Sequence, residues 1–488
     1  MENQDKKPNI IAIIGAIVLL VLAVVGLSYA FFSAFIKNGE TDPSIEGTGA
    51  NLSLVYTDGK SVITSSNIMP GWSATKTFTV TNNGEADTYY KLNISNITNE
   101  FVDGGLTFSI ASADGGTSVA EQAVGTTTRT ISPSITIAEG ATHTYTVTAK
   151  YINLNTDQTP DLGKSFSYTI GIEASQKPTF KDIILANNEV KTPITTPGAA
   201  VSTSSEALLA SAEDDYGTSY YFRGAVTNNY VEFANKCWRI VRIGGDNTVK
   251  LILHNDNISN ASNPCSSANN SITAAFAHYN GSTYTSVFNS SSNDNAFIGF
   301  MYGTPGSTTY EATHANTNKS TILTNLETWY NNNLKTYESV IDNNVFCNDK
   351  SLSSGSGYSA NATDYAARER LYTSKIPSLK CNGELSKITS KIGLITADEL
   401  AFAGYAVRGY ITTSYLKENA TGYSWWSLSP AGFYNKSLSY VFRVRSDNDA
   451  IDICNVNVDS SVRPVISLVS SITISGVSGT SEDPYVVK

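Results

Sequence analysis

The sequence predicts a multidomain chain: an N-terminal transmembrane helix, an all-β antiparallel sandwich of Ig-like or jelly-roll type, then an α+β domain with long loops. Three observations carry that prediction. Ile10 to Ile36 form one uncharged apolar run. From about residue 47 to 175, short segments alternate apolar and polar side chains between Gly, Asn and Asp. From about residue 215 to 488, hairpin-like alternation gives way to helical periodicity and then returns to strands.

The apolar run decides where the rest works. About 20 apolar residues span the hydrocarbon core of a bilayer as a helix, and residues 10–36 exceed that. Lys6 and Lys7, in the leading residues 1–9, hold that tail in the cytoplasm, so everything beyond about Lys37 faces outward. A retained single-pass anchor is the preferred reading. The other is a cleaved signal peptide, with secretion after Ala30, because Ser28-Tyr29-Ala30 offers small residues where a signal peptidase reads. Both export the chain. No second long apolar segment follows, which excludes a multi-span transporter.

Composition narrows the partners. Only 16% of residues are charged and the formal net charge is −10, so the hydrophilicity comes from Asn, Ser, Thr and Tyr. Neutral hydrogen-bonding groups suit sugar or protein surfaces. Nucleic acid needs clustered Lys and Arg, and no such cluster is present.

In the sandwich, Phe78 and Val80 alternate with threonines, Leu92 and Ile94 with Lys91 and Asn93, and Tyr145 and Val147 with threonines. Tyr168, Ile170 and Ile172 repeat the pattern. Period-2 alternation buries one face and wets the other. Ile68-Met69-Pro70-Gly71, Phe78 to Gly84 and Tyr90 to Ile94, with Tyr29 to Ala34 at the end of the apolar run, resemble the exported sandwich domains of camelysin and the bacterial biofilm-fibre proteins. That resemblance implies a surface or matrix role. The domain has one histidine, His143, and no His-Glu-x-x-His with which to hold zinc. His143 reads as a solvated strand residue.

Residues 176–211 read as a linker, because Pro178, Pro193, Pro197 and Gly198 break regular structure. A short helix from Ser204 to Asp215 follows through Ala207, Leu208 and Ala210. In the second domain, residues 215–488, Cys237 to Ile243 and Val249 to Leu253 form a hairpin around Gly244-Gly245-Asp246-Asn247. Ile322, Leu326, Trp329, Tyr330 and Leu334 predict a helix from Thr321 to Tyr337, and a second starts near Ala397. Trp425 to Pro430, Val441 to Val444 and Val462 to Leu468 are strand-like. The Trp-Arg-Ile-Val block at Trp238, Trp-Trp-x-Leu-Ser-Pro at Trp425 and Val-Arg-Pro-Val at Val462 resemble a module of exported bacterial proteins with a C-type-lectin-like fold. The resemblance implies binding or scaffolding, and fold alone does not choose between them.

Trp425, Trp426 and Tyr434 are the candidate stacking residues for a sugar; adjacent strand residues point to opposite faces, so one tryptophan is core and the other open. Arg443 and Arg463 are the candidate anion contacts. Asp447, Asp449 and Asp452 are spaced like oxygen ligands and would admit calcium, the one cofactor in view, but no EF-hand or lectin-type signature completes them and a solvated acidic turn is preferred. With export permitting disulfides, Cys347 with Cys381 is the preferred bridge, worth about 3–4 kcal/mol; Cys237 with Cys265 is second, leaving Cys454 free. No local motif assembles a nucleophile or acid–base pair. The functional expectation is a membrane-anchored surface protein whose sandwich stalk presents an adhesin-like head to a carbohydrate or surface-protein ligand. The alternative is a self-associating subunit of a surface fibre or biofilm matrix, and an extracellular hydrolase ranks third.

Overall fold

The computed structural model describes residues 54–58, 68–102, 104–175, 178–201, 203–279, 285–408, 413–472, 474–475 and 478–487. Residues 1–9 and the apolar run at 10–36 lie outside them. Among the described residues no helix is long and apolar enough to cross a membrane, and the protein is mostly β-sheet with 14% helix. The expected fold class is corrected on both counts: a transmembrane helix is not supported, and the second domain is β-dominated rather than α+β. The chain divides into two compact units, Met1–Lys177 and Pro178–Lys488.

Among the described residues, the alternating segments of the first unit form eight antiparallel strands in two sheets. These are β1 (Leu54–Asp58), β2 (Trp72–Asn82), β3 (Thr88–Asn99), β4 (Leu106–Ser112), β5 (Val119–Ala123), β6 (Arg129–Ile137), β7 (Thr142–Tyr151) and β8 (Phe166–Ser175). One sheet runs β1-β2-β7-β4-β5 and the other β6-β3-β8. Phe78, Val80, Leu92, Ile94, Tyr145, Val147 and Ile170 all point into the shared core, with Tyr168 and Ile172 packed at its margin. Each buried side chain of this size contributes about 1.5–3 kcal/mol, and that drive fixes the register, because a one-residue slip would turn the whole set to water. His143 is not solvated. It is buried, and its Nδ1 lies 2.8 Å from the Tyr90 hydroxyl, which also bonds the Tyr145 hydroxyl at 2.6 Å.

The second unit begins earlier than its strand pattern implied. The segment expected as a linker is packed: Thr179 and Asp182 form a capping box on helix Phe180–Asn187, and Phe180 and Ile184 are fully buried in the core. Buried Arg223 ties the rest down, pairing with Glu206 at 2.7 Å and donating to the Thr195 hydroxyl and the Ala199 carbonyl. The short helix expected at Ser204–Asp215 is instead β9 (Ala207–Asp214), paired along its whole length with β10 (Gly217–Gly224). Tertiary pairing there overrides weak local helix propensity.

The hairpin forms as read: β11 (Tyr230–Phe233), β12 (Lys236–Ile243) and β13 (Val249–Asn255) join in one sheet, with Ile243 opposite Val249. Strand Val465–Leu468 pairs with β13 on its other side. A second sheet centres on strand Trp425–Tyr434, flanked by Leu438–Val444 and Thr363–Tyr365. Helix Thr321–Asn333 is capped by Ser320 and buries Ile322, Leu326, Trp329 and Tyr330 as its spacing required. Helix Ala397–Phe402 is short. Disulfides join Cys347 to Cys381 and Cys237 to Cys265, and Cys454 is free and buried.

Candidate functional site

Strand Trp425–Tyr434 is covered on both faces along almost all its length, and this reassigns the predicted stacking residues. Trp425 and Trp426 are each fully buried. Trp426 donates Nε1–H to the Ser286 carbonyl at 2.7 Å and packs on Phe288, while Trp425 lies beside Tyr405. Neither offers a ring to a ligand. Arg463 is also fully buried, donating to the Leu253 and Leu416 carbonyls, and it opens no surface anion site. Arg443, half-buried, reaches the Ser460 hydroxyl at 3.3 Å.

Of the three predicted stacking residues, Tyr434 stays half-buried at the end of its strand, and the fold brings unpredicted partners to it. Arg368 places its guanidinium carbon 5.2 Å from the ring centroids of both Tyr434 and Tyr372. Arg408, exposed, stands 5.1 Å from the Tyr372 ring, and Tyr440 lies 5.4 Å from Tyr434. The result is a ladder of aromatic and guanidinium planes. Its geometry is fixed from below: the Tyr434 hydroxyl donates to Asp364 at 2.5 Å, Arg368 donates to Asp364 at 2.8 Å, and the Tyr372 hydroxyl donates to Asp452 at 3.0 Å. Burial, then the charge of Asp452, pushes the Tyr372 phenol up to about 12; burial and the bond to Asp364 also hold the Tyr434 phenol high. Both stay protonated and able to donate at any physiological pH.

Local structure explains how Arg368 and Tyr372 come to one face. They flank the start of a π-helical turn, Glu369–Ser374, a form that is rare and recurs at functional sites. Arg370, between them, turns the other way. It pairs with Asp349 at 2.7 Å and Asp398 at 2.8 Å and lines a small cleft with Arg242, Lys250, Glu399 and the bridged Cys347. Burial alone would raise the Glu399 carboxyl, but Lys250 and Arg242, at 2.6 and 3.0 Å, outweigh it and hold it at about 2. Glu399 also closes the capping box with Thr396. Asp214, Asp349, Asp398 and Glu399 face the three cations and are all bonded, so the cleft is an internal strut.

The acidic turn does not assemble a calcium site. Asp447 and Asp452 are held by Arg445, and Asp449 by Lys417 at 2.9 Å. Among the described residues no group of three or more His, Cys, Asp or Glu could hold a metal ion. The residues missed were Arg368, Tyr372 and Arg408; each is far from Tyr434 in sequence, and no local pattern marks them. The two disulfides fit an oxidising, extracellular environment. Comparison with protein-family models and with curated proteins finds no match.

Proposed function

We propose that this is an exported recognition protein whose second unit binds a carbohydrate or surface-protein ligand on the ladder of Tyr434, Arg368, Tyr372 and Arg408. One observation carries the reading. Trp238, Trp329, Trp425 and Trp426, the tryptophans of this unit, are all buried, whereas the ladder brings tyrosine rings and guanidinium planes to the surface together. Such planes stack on sugar rings and on peptide groups, and cation–π contacts add about 0.5–1 kcal/mol each at exposed sites. Arg368 is balanced by Asp364, while Asp452 is held by Arg445 and the Tyr372 hydroxyl. The fibre-subunit alternative draws less support from the sandwich, because Arg129 donates to the Ala123 and Val124 carbonyls and closes the end of edge strand β5.

The test is a glycan and surface-protein array probed with the full chain and with Tyr372→Ala and Tyr434→Ala. The expected outcome is ligand capture by the wild type and at least tenfold weaker capture by folded variants. Undiminished capture by both folded variants removes the ladder as the site.

A further inference from the structure

In the core of the second unit, four buried side chains around one guanidinium carry polar atoms without a partner: Arg463 Nη2, Trp425 Nε1, His254 Nδ1 and the Tyr415 hydroxyl. Arg463, Trp425 and His254 are fully buried and Tyr415 nearly so. The Arg463 guanidinium carbon lies 5.2 Å from the Trp425 ring centroid, its Nε and Nη1 reach the Leu253 and Leu416 carbonyls, next in the chain to His254 and Tyr415, at 2.8 and 2.5 Å, and the Arg239 guanidinium carbon lies 5.2 Å from the Tyr415 ring. Arg463 Nη2 and Trp425 Nε1 can only donate, and the Tyr415 hydroxyl can donate as well. His254 Nε2 lies 3.2 Å from the Asn419 amide nitrogen, whose two hydrogens are also drawn by the His254 carbonyl at 3.1 Å and Asn270 Oδ1 at 2.9 Å, and it lies 3.8 Å from Glu418.

Charge is unbalanced in the same place. Arg239 and Arg463 bring two cations, and the carboxylate facing them is Glu418, already engaged by Arg239 at 3.2 Å, Tyr230 at 2.8 Å and Asn270 at 2.7 Å. Arg463 itself donates only to backbone carbonyls. A buried charge without a counter-charge is costly. Burial and the two neighbouring guanidiniums hold the His254 pKa well below its ordinary value, so it stays neutral and adds no third cation.

We propose that a single small monovalent anion of halide class binds beside Arg463, accepting from its Nη2 and from the indole and phenol donors near it. An anion satisfies the donors and the charge at once. A water would answer the donors only, and would bring two hydrogens of its own to a lining already in excess of them.

The test uses the full chain. Thermal unfolding is followed in sodium chloride and in sodium gluconate at matched ionic strength, and crystals grown in bromide are examined for anomalous scattering. Binding to the native state alone raises Tm with ligand concentration. The expected result is a saturable rise of a few degrees specific to chloride, weakened several-fold in Trp425→Phe and abolished in Arg463→Met, with a bromide peak within hydrogen-bond reach of Arg463 Nη2. Equal responses to the two salts, or a refined water with no anomalous peak there, overturns the proposal whether or not Arg463→Met folds.

Discussion

In the sandwich, the deepest polar cluster is neutral: Tyr90, Tyr145 and His143 share hydrogen bonds beside an otherwise apolar core. In the second unit the corresponding depth holds ions, with Arg223 against Glu206, Lys250 and Arg242 against Glu399, and Arg370 against Asp349 and Asp398. The sandwich's ion pairs, such as Lys150 with Glu121, sit at the surface. The difference teaches how each fold is specified. Short strands wetted on one face are specified by alternation. Long loops wrapped around sheets covered on both faces need directional polar contacts and covalent ties to choose one packing.

Four outcomes would sharpen or break that comparison. The largest effect is expected from reduction. Each bridge of the second unit closes a separation of 28 or 34 residues, worth about 3–4 kcal/mol apiece, so dithiothreitol should lower amide protection throughout residues 178–488. The sandwich, with no bridge among its described residues, should keep its protection in the same hydrogen-exchange experiment. Loss of protection in both units would show that the second unit's bridges also support the first.

Next is the contrast between an ionic and a neutral buried network. Glu399→Gln leaves Lys250 and Arg242 short of their counter-charge and should destabilise the second unit by about 3–5 kcal/mol in urea unfolding. Tyr145→Phe removes one hydroxyl from the sandwich cluster and should cost about 1–3 kcal/mol. Equal losses would remove the distinction drawn above.

Acid should separate the units by stage. Burial holds His143 below the ordinary value of 6.5, so the unfolded chain takes up that proton first and the sandwich loses stability as pH falls below 6.5. His314, pushed down to about 3 by burial, acts in the same direction in the second unit. There a further loss follows between about 4.5 and 2, as Glu399, at about 2 when folded against 4.5 unfolded, is protonated. A pH titration of unfolding free energy should show that second stage in the wild type and lose it in Glu399→Gln.

The smallest effect is expected at Lys150→Ala, where both partners of the ion pair are more than a third exposed. Such pairs contribute about 0–1 kcal/mol, and Tm should barely move. A shift as large as that of Glu399→Gln would mean that the surface pairs of the sandwich also help to specify its fold.

The sandwich was legible because its strands obey the rule used to find them: Phe78, Val80, Leu92, Ile94, Tyr145 and Val147 alternate and are all buried. Helix Thr321–Asn333 and the hairpin of β12 and β13 were legible for the same kind of reason, a local periodicity with a clean turn or cap. Both cysteine pairings were in view as a preferred and a second bridge, although spacing along the chain does not choose among the possible connectivities. The candidate site was not. Tyr434 alone was in view, and its partners Arg368, Tyr372 and Arg408 reach it from distant parts of the chain.

By itself, then, the sequence determined which side chains of the sandwich strands face inward and where the main helix lies, because each follows from spacing between near neighbours. Only the tertiary structure decided that Trp425 and Trp426 are both core, that residues 178–201 belong to the second unit, and that Glu399 anchors two cations. Alternation reports how many faces of a strand are wet only when one face is wet. Strand Trp425–Tyr434 is covered on both, and pairs such as Arg242 with Glu399, far apart in the chain, exist only once the sheets have closed around them.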